Sequence, residues 1–170
     1  MSGHSKWSSI KHKKAATDQK RGQVFSKLLK AISIAARDNA DPQFNAQLKQ
    51  AIAKAKENNV PQDNIDRAIK RNEDKDLQEL IIEAYGPGGV AMIINAITDN
   101  NNRAIAEIKH LLNQHQSKIA VPNSVLWAFD GDQPKFPQEL NESDRGKLEK
   151  LIEKLEEHDD VQKVITNLKT

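Results

Sequence analysis

Apolar residues recur at helical spacing through the first part of the chain and at strand spacing in much of the remainder. From Asp18 to Asn39, Val24, Phe25, Leu28, Leu29, Ile32 and Ala35 or Ala36 fall on one side of a predicted amphipathic helix. Asp41 followed by Pro42 reads as a helix start, with Asp as N-cap and Pro in the first turn. The helix it opens is expected to run to about Glu57 with Phe44, Leu48, Ile52 and Ala55 inward. Asn58-Asn59-Val60-Pro61 breaks the pattern, and a third helix follows with Ile65, Ala68 and Ile69 inward. Three short helices with one apolar stripe each predict a small bundle. Residues 1–16 lack this periodicity and are expected to form an extended arm, docked through Trp7 and Ile10.

The charged run KRNEDKD, residues 70–76, reads as a linker, and beyond it the pattern turns β-rich. LQELIIEAYG and VAMIINAIT are two predicted strands joined at Gly86-Pro87-Gly88-Gly89. Asp99 or Asn100 then caps a helix with Ile105, Ile108, Leu111 and Leu112 inward. NSVLWAFD is expected as the third strand, and DGDQPKFPQ, residues 130–138, as a loop. Asn141 opens a helix bearing Leu148, Leu151, Ile152 and Leu155, and DVQKVITNL closes as a strand. The fold class is therefore α+β: an N-terminal three-helix bundle over residues 1–75, then a ββαβαβ domain over 76–170. That domain has a four-stranded, mainly antiparallel sheet with two helices on one face.

Charge sharpens this division. The net charge of +2 conceals 15 Lys/Arg against 6 Asp/Glu in residues 1–72 and 11 against 18 in residues 73–170. A basic half joined to an acidic half predicts a polyanionic partner on one side only. There is no cysteine, which excludes disulfides and thiolate metal sites. No apolar run reaches the roughly 20 residues that cross a bilayer. The basic start lacks the apolar stretch of a signal peptide, so a cytoplasmic location is expected.

Enzymatic chemistry leaves no trace of its usual motifs: GxxxxGK[ST], HExxH, GxSxG and a Gly-rich dinucleotide loop are all missing. His110 and His115 lie five apart, on different faces of a helix, and lysines flank His4 and His12. The YGPGG stretch reads as a corner needing positive φ rather than a phosphate cradle, and Asp159-Asp160 as a helix-to-strand marker. The expectation is a protein that is not an enzyme and holds no metal or cofactor.

The basic start carries the candidate site. Residues 3–30 hold eight Lys/Arg and a single acid, Asp18. Lys6, Lys11, Lys13, Lys14, Lys20, Arg21 and Lys27 supply point charges for phosphate. His12 sits among them, and Trp7 reads first as an anchor pinning the arm to the bundle, with a ring to stack on a base as the alternative. Asn100, Asn101, Asn102 and Arg103 form a second polar corner, where Arg103 could meet phosphate or simply flank a capped helix start.

GHSKWSSIKHKK with FSKLLKAI, DPQFNAQLKQAIAKAKENNVPQDNIDRAIKR, YGPGGVAMI, TDNNNRAIAEIKH and LEKLIEKLEEHDDVQKVITN together resemble the YebC-type family. That family comprises probable transcriptional regulatory proteins and includes a mitochondrial translational activator. The resemblance implies a helical domain followed by two α/β domains, one inserted in the other, and this chain lacks the inserted domain near 130–141. Asn102 stands where the family usually has Arg, and Gln116, Ser117 and Ala120 where it has Gly. The implied function is a nucleic-acid-binding regulator of gene expression. Its partner is either DNA, for transcriptional control, or ribosomal or transfer RNA, possibly on the ribosome, for translation. A protein-interaction adaptor is the rival from another class.

Overall fold

The computed structural model describes residues 2–71 and 76–170, with side chains from Asp18 onward. The chain divides into two units, Met1–Asp74 and Lys75–Thr170. Residues 72–75 of the expected linker lie outside the described residues.

The first unit is built from α1 (Ser2–Ala35), α2 (Ala46–Glu57) and α3 (Gln62–Lys70). Its core joins Leu28, Ile32 and Ala35 of α1 to Leu48 and Ala55 of α2 and Ile65 and Ala68 of α3. Ser33 lies buried among them, and its hydroxyl donates to the Ala68 carbonyl at 2.9 Å, so it leaves no unsatisfied donor. Two expectations are corrected. Helix α1 begins at Ser2, so the segment expected to be extended is helical; no proline interrupts residues 1–35. Helix α2 begins after Asn45 rather than at Asp41.

The reason for the later start is local competition for N–H groups. Asp41 spends its carboxylate on the Gln43 N–H (2.9 Å), while the Asn39 side chain accepts from the Asp41 N–H (2.8 Å). These are Asx turns, an alternative to helix that Asp and Asn offer the backbone. Asn45 then accepts from the Leu48 N–H at 2.9 Å and donates to the carbonyls of Ala35 and Asn39, each at 2.7 Å. One amide thus caps α2 and ties it to the end of α1. Phe44, expected inward, is left 78% exposed on the turn.

In the second unit β1 (Gln78–Tyr85) and β2 (Ala91–Thr98) pair antiparallel, with Ile82 opposite Ile94. The described sheet has the order β3-β1-β2-β6, where β3 is Lys118–Ile119 and β6 is Val161–Thr166. The corner between β1 and β2 is a single 3-10 turn, Pro87–Gly89. Gly88 there has φ 69°, and a Cβ on it would come within 2.5 Å of the Leu140 side chain. Positive φ and close packing both require glycine.

Helices α4 (Asn101–Gln114) and α5 (Glu142–Glu156) cover one face, where Ile108, Leu112, Leu148, Leu151 and Leu155 meet Ile82, Ala84, Met92 and Ile94. The other face is also covered. Ala120, Val125, Ala128 and Phe129 pack on Ala91, Ile93 and Ile165. Burial on both sides explains why β2 is apolar on both faces, with Asn95 the one interior polar residue, rather than alternating.

That second cover corrects the expected third strand. NSVLWAFD is not a ladder strand. It turns through a 3-10 helix, Leu126–Ala128, into a two-residue strand β4 (Phe129–Asp130) that pairs with β5 (Gln133–Pro134). What holds it off the ladder is Glu83, on the same face of β1. Its carboxylate, in a residue only 6% exposed, accepts the N–H groups of Asn123 (2.5 Å), Val125 (2.6 Å) and Leu126 (2.8 Å). Asn123 adopts φ 66°, which turns successive N–H groups toward one acceptor. Burial pushes the Glu83 pKa up, but the N–H groups of Val125, Leu126 and Asn123 outweigh it and hold the group below the ordinary carboxylate value. The loop before β3 keeps its left-handed residue too. Gln116 has φ 55°, and the Ser117 N–H closes the end of α4 on the Leu112 carbonyl at 2.9 Å.

Two outcomes follow for stability. Asn45→Ala should cost about 2 kcal/mol, since it removes a cap and two carbonyl partners, and Asp41→Ala less than about 1 kcal/mol. Urea unfolding followed by circular dichroism measures both. Glu83 holds its proton more weakly when folded than when unfolded, so its contribution is complete above the ordinary carboxylate range and is lost as pH falls through the folded value. The stability gap between the native chain and Glu83→Gln should therefore narrow as pH is lowered from 7 towards 3. A constant gap would contradict the anionic anchor.

Candidate nucleic-acid interface

Helix α1 places the described part of the basic segment on an element fixed by the bundle core. Lys20 and Arg21 are exposed, and Lys27 and Lys30 are half-buried beside the apolar stripe of Leu28 and Leu29. Lys20 and Lys27 are seven residues apart, close to two helical turns, and so lie on one side of α1. The same step toward the start of the sequence reaches Lys13 and Lys6. The side chains of Lys6, Trp7, Lys11, His12, Lys13 and Lys14 lie outside the described residues.

Helix α2 exposes Lys49, Lys54 and Lys56, whereas α3 mixes acids with bases. The outer face of α3 exposes Gln62, Asp63, Asp66, Arg67 and Lys70. Asp66 accepts from the Gln62 side chain at 2.8 Å, and Arg67 donates to the Asn64 side chain at 2.9 Å. A recognition helix leads into the major groove with its N-terminal residues. Two carboxylates in that half of α3 would meet phosphate with like charge.

Arg103 occupies a different setting. Asn100 caps α4 by accepting from the Arg103 N–H at 3.0 Å. The guanidinium Nη2 of Arg103 donates to Asp160 at 2.8 Å and to Asp99 at 2.9 Å. Asp160 is 3% exposed and also accepts from the Thr98 hydroxyl at 3.0 Å. Arg103 thus compensates a buried carboxylate at the end of the sheet. Its charge is shared between two carboxylates, while the side chain stays 46% exposed. Next to it, His158 Nε2 and a Glu107 oxygen lie 2.6 Å apart, and the ligand-type atoms of Glu107, His158 and Asp160 lie within 4.8 Å of one another. A cation there would compete with Arg103 and Thr98 for Asp160, so the cluster is coherent as an ion-pair network. The partners of Asp160 stand 57 and 62 residues away in sequence, and no local pattern announces them.

Sequence reasoning also passed over Trp127 and Phe136. They are 62% and 57% exposed, with ring centroids 5.5 Å apart and planes tilted by 55°. Among the described residues, no helix is long and apolar enough to cross a membrane.

A basic helical bundle followed by an α+β unit of this topology defines a class of proteins recognised by their domain pair. Residues 5–75 match the TACO1/YebC protein N-terminal domain, and residues 77–133 and 132–168 match the TACO1/YebC second and third domain. The chain belongs to the TACO1/YebC family. The two latter stretches meet in the turn of the β4–β5 hairpin.

Curated relatives carry the name "Probable transcriptional regulatory protein". One from Desulfosudis oleivorans is 44% identical over 99% of this chain and 72% of its own length. Others from Halothermothrix orenii and Acidobacterium capsulatum are 47% and 51% identical over 92% and 76% of this chain, which spans 63% and 54% of them. The crystal structure of a conserved hypothetical protein, Aq1575 from Aquifex aeolicus, superposes with a TM-score of 0.83 at 28% identity. That match covers 89% of this chain and 91% of the other.

Arg103→Ala should destabilise the chain by about 1–3 kcal/mol, because it strands the Asp160 carboxylate. The double variant Arg103→Ala/Asp160→Ala should cost less than the two single changes added together. Urea midpoints of the three variants measure the coupling; additivity would contradict the pairing.

Proposed function

We propose that the chain is a non-enzymatic nucleic-acid-binding regulator of gene expression, of the transcriptional kind that its relatives' names describe. The observation that carries this reading is a division of charge at the boundary between the units. Residues 1–74 hold 15 Lys/Arg against 8 Asp/Glu, and residues 75–170 hold 11 against 16. A polyanion is attracted to the first unit and repelled by the second, which orients it. Lys6, Lys11, Lys13, Lys14, Lys20, Arg21 and Lys27 meet phosphates, with His12 and Trp7 among them. The acidic unit positions the basic one or contacts a protein partner. No cofactor takes part, and the work is cytoplasmic.

A second reading, a ribosome-associated translation factor on ribosomal or transfer RNA, is favoured by the carboxylates on α3. With Asp63 and Asp66 exposed there, α3 is ill suited to reading base edges in a DNA groove. Phosphate contacts from α1 serve folded RNA as well as duplex DNA.

The test is the salt dependence of binding, by fluorescence anisotropy, of the full chain to duplex DNA and to a folded RNA. If about five cations meet phosphates, the slope of log K against log salt on the duplex is about −4 to −5. Lys11→Glu/Lys13→Glu/Lys14→Glu should flatten it by about 3. Tighter binding to the RNA at equal salt favours translation, and tighter binding to the duplex favours transcription. Salt-insensitive binding, or none to either, would overturn both and leave the adaptor.

A further inference from the structure

The second unit exposes a ring pair that the charge-based reading leaves unused. Trp127 and Phe136 stand on either side of the β4–β5 hairpin and contact each other as a tilted pair. Neither ring covers the sheet; that is done by Val125, Ala128 and Phe129. Single exposed aromatics need no explanation, but two in contact, with Val121 74% and Leu126 36% exposed nearby in the chain, make an apolar patch on an otherwise acidic unit.

The patch is also rigid. Glu83 pins the backbone N–H groups of Asn123, Val125 and Leu126, and the Trp127 indole N–H donates to the Ser124 carbonyl at 2.7 Å. With its polar handle satisfied internally, the indole presents only π faces and an apolar edge. The Lys135 N–H donates to the Ala128 carbonyl at 2.8 Å, and exposed Lys135 directly precedes Phe136 in sequence. Asp132, in the hairpin turn, is paired with Lys163.

We infer that Trp127 and Phe136 form a stacking platform for an unpaired nucleobase, with Lys135 beside it for the adjoining phosphate. The inference rests on the nucleic-acid reading above and narrows it to targets containing unpaired bases. Rings 5.5 Å apart and tilted by 55° do not sandwich a base. Instead, one face takes the stack and the edge of the other ring meets the rim of the base. Fixed aromatic faces next to a lysine are the elements of sequence-tolerant single-strand binding, in which the ring supplies affinity and the cation tracks the backbone. The platform would give the acidic unit a direct share in holding a ligand that phosphate charge alone draws to the other unit.

The experiment uses the full chain with a fluorescent single-stranded oligonucleotide and, as comparison, a blunt duplex of the same length. Trp127→Ala should weaken single-strand binding by about 5- to 150-fold, as loss of one stacked base does, and leave duplex binding within about twofold. Trp127→Phe, which keeps a ring, should restore most of the loss. In a Trp7→Phe background Trp127 is the only indole, and the single strand but not the duplex should quench its fluorescence. Unchanged affinity in Trp127→Ala, with binding still weakened and its salt slope flattened by the Lys11/Lys13/Lys14 charge reversals, would overturn the platform and leave the proposed function standing. Insensitivity to both sets of changes would overturn both. Self-association seen by sedimentation and abolished by Trp127→Ala, with no quenching by the single strand, would assign the patch to a second copy and overturn the platform.

Discussion

A carboxylate that is 6% exposed must have its charge answered, and Glu83 answers it with three N–H groups from one turn. Removing the acid would leave the buried Val125 N–H without a partner, at a cost of order 1–3 kcal/mol, and would release the part-buried N–H groups of Asn123 and Leu126. The consequences spread from there. The turn is held against β1, so Val125, Ala128 and Phe129 cover the second face of the sheet. Covered on both faces, β2 can carry apolar residues on both sides, and the hairpin that follows leaves the sheet at a fixed place. The exposed ring pair is then a by-product of a buried charge on the neighbouring strand.

The first unit solves a different problem, how to keep a basic helix in one position. Charge on α1 cannot hold the bundle together, because like charges repel. The work falls to the Ile32, Leu48 and Ile65 core and to Asn45, whose amide links the end of α1 to the start of α2. Packing and capping thus sit on the inner side of α1 while Lys20 and Arg21 stay outside. Stability and the proposed function draw on separate faces of the same helix.

What the sequence disclosed follows from how local each signal is. Apolar periodicity located the helices from Asp18 onward and the long strands, because a stripe of Leu28, Ile32 and Ala35 needs only its own helix to be seen. It missed the start of α1, which has no such stripe. Asn100 and Asn141 showed themselves as caps, since each acts three residues away. The start of α2 was misjudged because Asp41 and Asn45 both satisfy the local rule, and the decision rests on the Ala35 carbonyl ten residues back. NSVLWAFD has strand composition. It lost its place in the ladder to Glu83, some forty residues earlier in sequence, which no pattern within the segment reveals. Arg103 reads equally as a phosphate contact or a neighbour of the helix cap, and the Asp160 it pairs with stands 57 residues away, where no local pattern shows it. The basic character of the first unit was legible throughout, because charge needs no partner to be counted.

The central claim is that the basic first helix is the nucleic-acid-binding element of this chain. Ultraviolet crosslinking of the full chain to an RNA with both paired and unpaired segments, followed by mass mapping of the linked peptides, addresses it most directly. The account predicts crosslinks concentrated in residues 6–30, with a second set confined to the peptide holding Trp127. Crosslinks confined to α2 and α3, or to the acidic unit with none in residues 6–30, would contradict it.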